Sequence, residues 1–450
     1  IIRKTQEVSI MKKSRIIIAA VLSVALATAV FAKSRKSSSS NNEPPAKPEW
    51  GEPPEDTPPD GTPPDGMPGD FNEDNSSSTE AVVVEGADSI TYTYTSTKNV
   101  TKTYYAKYLV DGTTLDLSNQ TITVDQDNEI AVLVVNGGSV KLTNTTIIKS
   151  GDGKGAKRSD DYNFYGLNNA VVVLGSESKA TLDNCTVNTT GEFSNAVFAS
   201  DGGNIEIVNG ITISTSGSSS RGLFASYGGT VKAVDGDVKI STQSIHCAAL
   251  ATDRGGGTVI VGTAENAKPS YLNTVAEDSP CIYSTGTIIG YNITGNCTNG
   301  QAIVVEGKNN VEVKDSTFTG GRVNQGCVML YQSSSGDAAD EDAAAQKSTL
   351  TAVNCTFNVS NGTDMFVVTH TTAQVNLENC TYNGLEDGQN LFACKAIQWG
   401  TGAYLTVNAS DEALNGSVYT GDKTSKATVD AAKTSSLKKA SGSSGTIKIM

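Results

Sequence analysis

Residues 194–219 read SNAVFASDGGNIEIVNGITISTSGSS, with apolar and polar residues alternating inside three short runs. NAVFAS meets a Gly-Gly turn, NIEIVN bends at Asn209, and ITISTS ends in Ser and Gly. Alternation is the period of a strand, and it sends Ile205, Ile207, Ile211 and Ile213 to one side. The pattern predicts three short strands per unit, turned at polar residues, with one face buried.

The unit recurs. With Asn119 of LDLSNQTITV as the first reference, the bend residue falls at Asn144, Asn184, Asn209, Asp235, Val261, Gly290, Asp315, Asn354, Asn379 and Asn408. The intervals are 25, 40, 25, 26, 26, 29, 25, 39, 25 and 29 residues. A period of this length with strand patterning is the mark of a solenoid. The expected fold is all-β, a right-handed parallel β-helix of about 11 rungs, each of about 25 residues and three strands. At roughly 4.8 Å per rung the rod is about 50 Å long. Asn suits a corner that needs unusual backbone angles. Read as inward-facing, the corner residues form a ladder of amides bonded from rung to rung, and Asn209→Leu would cost about 2–4 kcal/mol.

Cysteine enters through the same register. Cys185, Cys355 and Cys380 follow the corner residue and share parity with the inward Val187, Phe357 and Tyr382. Other rungs place Thr145, Gly210, Gly236 and Ser316 there, so the slot reads as one for small residues. Cys355 and Cys380 fall on successive rungs, but parallel side-chain vectors hold their Cβ atoms too far apart for an easy disulfide. Cys281 and Cys327 occupy matched first-strand positions around Ala302, and no cysteine shows metal-ligand spacing.

Composition narrows the function. The net charge of the 450-residue chain is -14, which argues against a nucleic-acid partner. Residues 1–10 read as an upstream extension, and 11–32 as a signal peptide or signal anchor, with a basic start, an apolar run and small residues at Ala27, Ala29 and Ala32. An uncleaved anchor is the one route to a membrane. Residues 33–79 hold 10 of the 12 prolines and read as a disordered, acidic linker. Residues 80–112 would cap the rod, 113–412 form it, and 413–450 be a C-terminal cap or tail. That order implies a secreted protein, or one tethered at the cell surface.

Phrases such as FASDGGNIEI, FASYGGTVKA and AIVVEGKNNVEV, with the N-C-T corners, resemble the right-handed, pectate-lyase-like β-helix superfamily. They are most similar to secreted bacterial adhesin-like members, and the likeness spans about residues 110–410. It implies a scaffold that carries many activities. Polygalacturonases of this superfamily pair Asp-Asp with Gly-His-Gly and Arg-x-Lys. Here Asp160-Asp161 lies on an insertion, the other two motifs are missing from the sequence, and His246 and His370 sit at different rung phases. The reading is therefore a non-catalytic protein that binds a polysaccharide or surface glycan. The alternative is a lyase or hydrolase of acidic polysaccharide.

Two inserted loops mark where a ligand could be held. GDGKGAKRSDDYNFY (151–165) joins Lys157 and Arg158 to Tyr162, Phe164 and Tyr165, which suits sugar stacking beside a charged contact. QSSSGDAADEDAAAQK (332–347) is acidic through Asp337, Asp340, Glu341 and Asp342 and could take Ca²⁺; no other cofactor is implied. Between them Asp201, Tyr227 and Asp253 recur at intervals of 26, with Arg254 beside the last. That spacing predicts a carboxylate–aromatic–carboxylate stripe at the Gly-Gly turns.

Overall fold

The structure, a computed structural model, describes Val82, Val83 and residues 88–156, 160–333, 347–397, 402–410, 412–431 and 435–450. All of these belong to the second of two compact units, Asn75–Met450.

That unit is a parallel β-helix. Its first face is a 15-stranded sheet whose members follow chain order. Val171–Leu174, Val197–Ser200, Leu223–Ala225, Leu250–Thr252, Ile282–Ser284, Ile303–Glu306 and Val328–Tyr331 lie side by side in parallel. The second and third faces stack likewise, and Lys179–Thr189 and Asn204–Thr215 pass through both, bending on the way. At the N-terminal end Ile90–Thr95 pairs antiparallel with Thr101–Asp111 and makes a hairpin. Pairing continues to the other end, where Asn415–Thr420 and Ser436–Lys439 extend the first face and Lys426–Ala431 and Thr446–Ile449 the second.

The Val- and Ile-rich alternation explains the core. One residue from each pair of neighbours points inward, and a single cluster runs from Val110 to Val429. Four stacked coils, Ile205, Val231, Val259 and Ile288, are each 0% exposed. The first face also has an apolar outer side, where Val172, Phe198, Phe224 and Ala251 join a second cluster with Tyr104 and Leu133. The hairpin and the short helix Asp160–Tyr165 lie over its N-terminal part: Tyr104 Oη donates to the Tyr165 carbonyl at 2.9 Å, and Lys102 pairs with Asp161 at 3.0 Å.

The corners carry asparagines, but these face outward. Asn119, Asn144, Asn184, Asn209, Asn354 and Asn379 are exposed, with φ between 48° and 55°. A left-handed corner residue turns its side chain to solvent, which overturns the inward reading. Asn144 donates to Asn119 at 3.3 Å, Asn184 to Asn144 at 2.8 Å, Asn354 to Asp315 at 2.8 Å and Asn379 to Asn354 at 2.9 Å. Asn209 instead donates to Asp183, because Asn209 and Gly210 together stand opposite Asn184 in a bulge. Val261 pairs with Gly290 inside a strand, and Gly290 with Val313, so neither residue is a corner. The left-handed residues of these bends are Gly236 and Asp237 after Asp235, Gly262 after Val261, and Asn292 after Gly290. Asn408 lies within a strand opposite Asn376 and donates to it at 2.8 Å. Since Asn209 is exposed and makes one ladder bond, Asn209→Leu should cost only about 1–2 kcal/mol, the strain of a branched residue at positive φ. Urea titration checks this, and a loss above about 4 kcal/mol would restore the buried ladder.

All eight cysteines are free thiols. Cys185 donates to the Leu142 carbonyl at 3.3 Å, Cys355 to Val353 at 3.3 Å and Cys380 to Ala352 at 3.4 Å. Thr145 and Ser316, in the same slot, are likewise buried. The double substitution of Cys355 and Cys380 by alanine should cost about 1–3 kcal/mol through small voids and leave the coils folded. Circular dichroism with thermal melting checks it, and a protein that no longer folds would refute the filler role.

Candidate functional site

The turn residues expected to form a ligand stripe are spent on packing. Asp201 and Tyr227 are left-handed turn residues, with φ of 51° and 43°. The Asp201 carboxylate accepts from Tyr94 Oη at 2.7 Å, from the Thr97 amide at 2.9 Å and from the Thr97 hydroxyl, so it fastens the hairpin. Tyr227 stacks on Tyr165 with ring centroids 5.5 Å apart. Asp253 does not follow Tyr227 in register: Ala225 pairs with Thr252, so Asp253 falls one place earlier, opposite Ser226. Arg254 lies over the Phe164 ring at 4.6 Å, and Tyr162 stacks on Phe193 at 5.2 Å. Tyr162 and Phe164 are buried and hold the insertion against the sheet. Lys157 and Arg158, and the acidic run Asp337, Asp340, Glu341 and Asp342, lie outside the described residues. Among the described residues no group of three or more His, Cys, Asp or Glu side chains could hold a metal.

Where this cover stops, the first face opens into a cleft of about 670 Å³. Its floor is the outward column of successive strands. Ala251 pairs with Tyr283, Tyr283 with Val304 and Val304 with Met329; Ala248, Tyr283, Val304 and Met329 line the cavity. One wall is built from the turns that enter these strands: Arg221, His246, Asp278, Gln301, Arg322 and Gln325. Asn163 of the inserted helix closes one end and Tyr331 stands at the other side.

The polar groups are fixed in place. Arg221 donates to Asn163 at 2.7 Å, lies over the Phe224 ring at 4.7 Å and pairs with Asp253 at 3.4 Å. Burial pushes the Asp253 carboxyl above the usual carboxylate range, against the pull of Arg221. Glu306 is buried and accepts from the hydroxyls of both Tyr283 and Tyr331, the latter at 2.5 Å. Burial, then the charge of Glu306, drives both phenols well above their ordinary value. Arg322 is paired with Asp278. Gln301 donates to Gln325 at 2.5 Å, which aligns two amides along the wall. His246 is held below the usual imidazole value by partial desolvation and by Arg221 and Arg322, and is therefore uncharged at neutral pH.

Asp253 and Glu306 fall in one register column two coils apart, yet neither lines the cleft. The surface offered to a ligand is an apolar, partly aromatic floor beside planar amides, an imidazole and two arginines that each pair with a carboxylate. The sequence reading missed these residues because it followed the Gly-Gly turns. Aligning the outward positions of LAT, IYS, IVVE and VMLY would have placed Tyr283 and Met329 in one column. The chain was compared with protein-family models, with curated proteins and with solved structures, and nothing in any of the three matches it.

Proposed function

We propose that the protein binds a glycan in the first-face cleft and holds it without cleaving it, as a secreted or surface-tethered, adhesin-like β-helix. The observation that carries this reading is the division of the cleft into an apolar floor at Tyr283, Val304 and Met329 and a polar wall at His246, Gln301 and Gln325. A pyranose has the same division: C–H faces that pack on apolar and aromatic surface, and equatorial hydroxyls that pair with amides. Arg221 and Arg322 already have carboxylate partners, which favours a neutral sugar over a polyuronate. The carboxylates nearest the floor are engaged by Arg221 and the two tyrosines, which favours retention over turnover. Residues 11–32 support export.

A glycan array probed with the purified protein tests the reading, with a reducing-end assay on each hit. The expected result is binding without new reducing ends. Tyr283→Ala should weaken binding at least tenfold, about 1.4 kcal/mol, while leaving the melting temperature within a few degrees. Turnover of a hit would favour the hydrolase or lyase alternative, and an array without hits would remove the glycan.

A further inference from the structure

At the inner corner between the third and first faces, one column is occupied in successive coils by Lys149, Thr189, Thr215, Thr242 and Thr274. Each of these residues is at most 1% exposed. Lysine is the outlier, since its ammonium has to be kept dry where other coils place a hydroxyl. Its Nζ donates to the Gly151 carbonyl at 3.2 Å. Asn168, also 0% exposed, donates through Nδ2 to the same oxygen at 3.0 Å, and Ser194 Oγ donates to it at 3.2 Å.

Three donors thus converge on one carbonyl, which has two lone pairs, although Asn168 Nδ2 also reaches the Glu192 carbonyl at 3.0 Å and Ser194 Oγ at 2.9 Å. Meanwhile Asn168 Oδ1 is buried with no hydrogen-bond partner. Such a mismatch is costly in a packed interior. A carboxylate stands nearby: Glu129, 7% exposed, enters the adjoining first-face strand and accepts from Ser89 Oγ at 2.8 Å. Burial lowers Lys149 to about 8, with Glu129 the leading charge acting against that shift. A fraction of the amine is therefore uncharged and nucleophilic near neutral pH.

We propose that Lys149 and Asn168 join in an intramolecular isopeptide bond, with Glu129 carrying the proton. Glu129 takes a proton from the ammonium, and the freed Nζ attacks Asn168 Cγ. Nζ then passes its surplus proton through Glu129 to the original nitrogen, which the tetrahedral carbon expels as ammonia, and the proton first taken from the ammonium leaves with it as ammonium. One C–N bond forms, one breaks, and neither oxidant nor cofactor is needed. Two nitrogen donors become a single amide N–H beside the Gly151 carbonyl. The link closes the chain across residues 150–167, which include the insertion that brings Asn163 to the cleft.

Peptide mapping by mass spectrometry of the full-length protein tests this directly. The expected product is a branched tryptic peptide joining the Lys149 and Asn168 segments, lighter than their sum by one ammonia, with no cleavage after Lys149. Lys149→Arg should give linear peptides only, and Glu129→Gln should accumulate the unlinked chain. Linear wild-type peptides cut after Lys149, with Asn168 intact, would overturn the proposal. So would an ammonia deficit at Asn168 that persists in Lys149→Arg, since that would be cyclisation of the asparagine alone. The wild-type map stands whether or not the variants fold.

Discussion

Replacing Phe357 with alanine lowers the stability of the coil stack by about 3–5 kcal/mol. Phe357 is 0% exposed and stands at the middle of an aromatic column inside the rod. Its ring stacks on Phe318 at 6.2 Å and on Tyr382 at 6.3 Å, and it meets Phe366 edge-on at 5.5 Å. Removing it takes a ring contact from each of Phe318, Phe366 and Tyr382, and the strands on either side, fixed by parallel pairing, cannot collapse inward to fill the void. Phe357→Leu keeps most of the volume and should cost about 1.5 kcal/mol. Denaturant titration of both variants measures the difference. A loss under about 1 kcal/mol for the alanine variant would show that the interior is looser than the ring geometry states.

Asp201→Ala should release the N-terminal hairpin. One buried carboxylate accepts from Tyr94 Oη and from both the amide and the hydroxyl of Thr97, joining a hairpin to a turn more than 100 residues away. Hydrogen bonds to a charged acceptor contribute about 1.5–3 kcal/mol each, and a shared acceptor makes their sum less than additive. A total near 3 kcal/mol is expected, lost locally rather than from the whole rod. Alanine also strains the positive φ of this turn, so Asp201→Asn is the companion variant, which suits the turn but removes the charge. Amide hydrogen exchange should rise across residues 90–105 in both variants and stay unchanged at Ile205–Ile213. Unaltered exchange in the hairpin would mean that Tyr104 and the apolar outer cluster hold it without Asp201.

The coil was legible because burial enforces parity. Ile205, Ile207, Ile211 and Ile213 can share one interior only if the chain turns where Asn209 stands, and the return of that pattern after about 25 residues repeats the constraint. Side-chain direction at the corners was not legible. A single left-handed residue breaks the alternation locally, so parity counted through Asn144 or Asn184 gives no direction for the asparagine itself. The stripe failed through one residue: the step from Ala199 to Ala225 is 26 but that from Ala225 to Thr252 is 27, which moves Asp253 out of line with Tyr227. The cleft was hidden for another reason. It exists where the helix Asp160–Tyr165 ceases to cover the outer column, and that boundary is set by how Phe164 and Tyr165 pack, not by any period.

Calorimetric titration of the strongest array glycan into wild-type protein and Tyr283→Ala tests most directly whether the cleft is the binding surface. Saturable, one-to-one binding to the wild type and at least a tenfold weaker constant in the variant are expected. Equal affinity for both proteins would contradict that placement, because Tyr283 stands at the centre of the floor and no glycan seated there could avoid it.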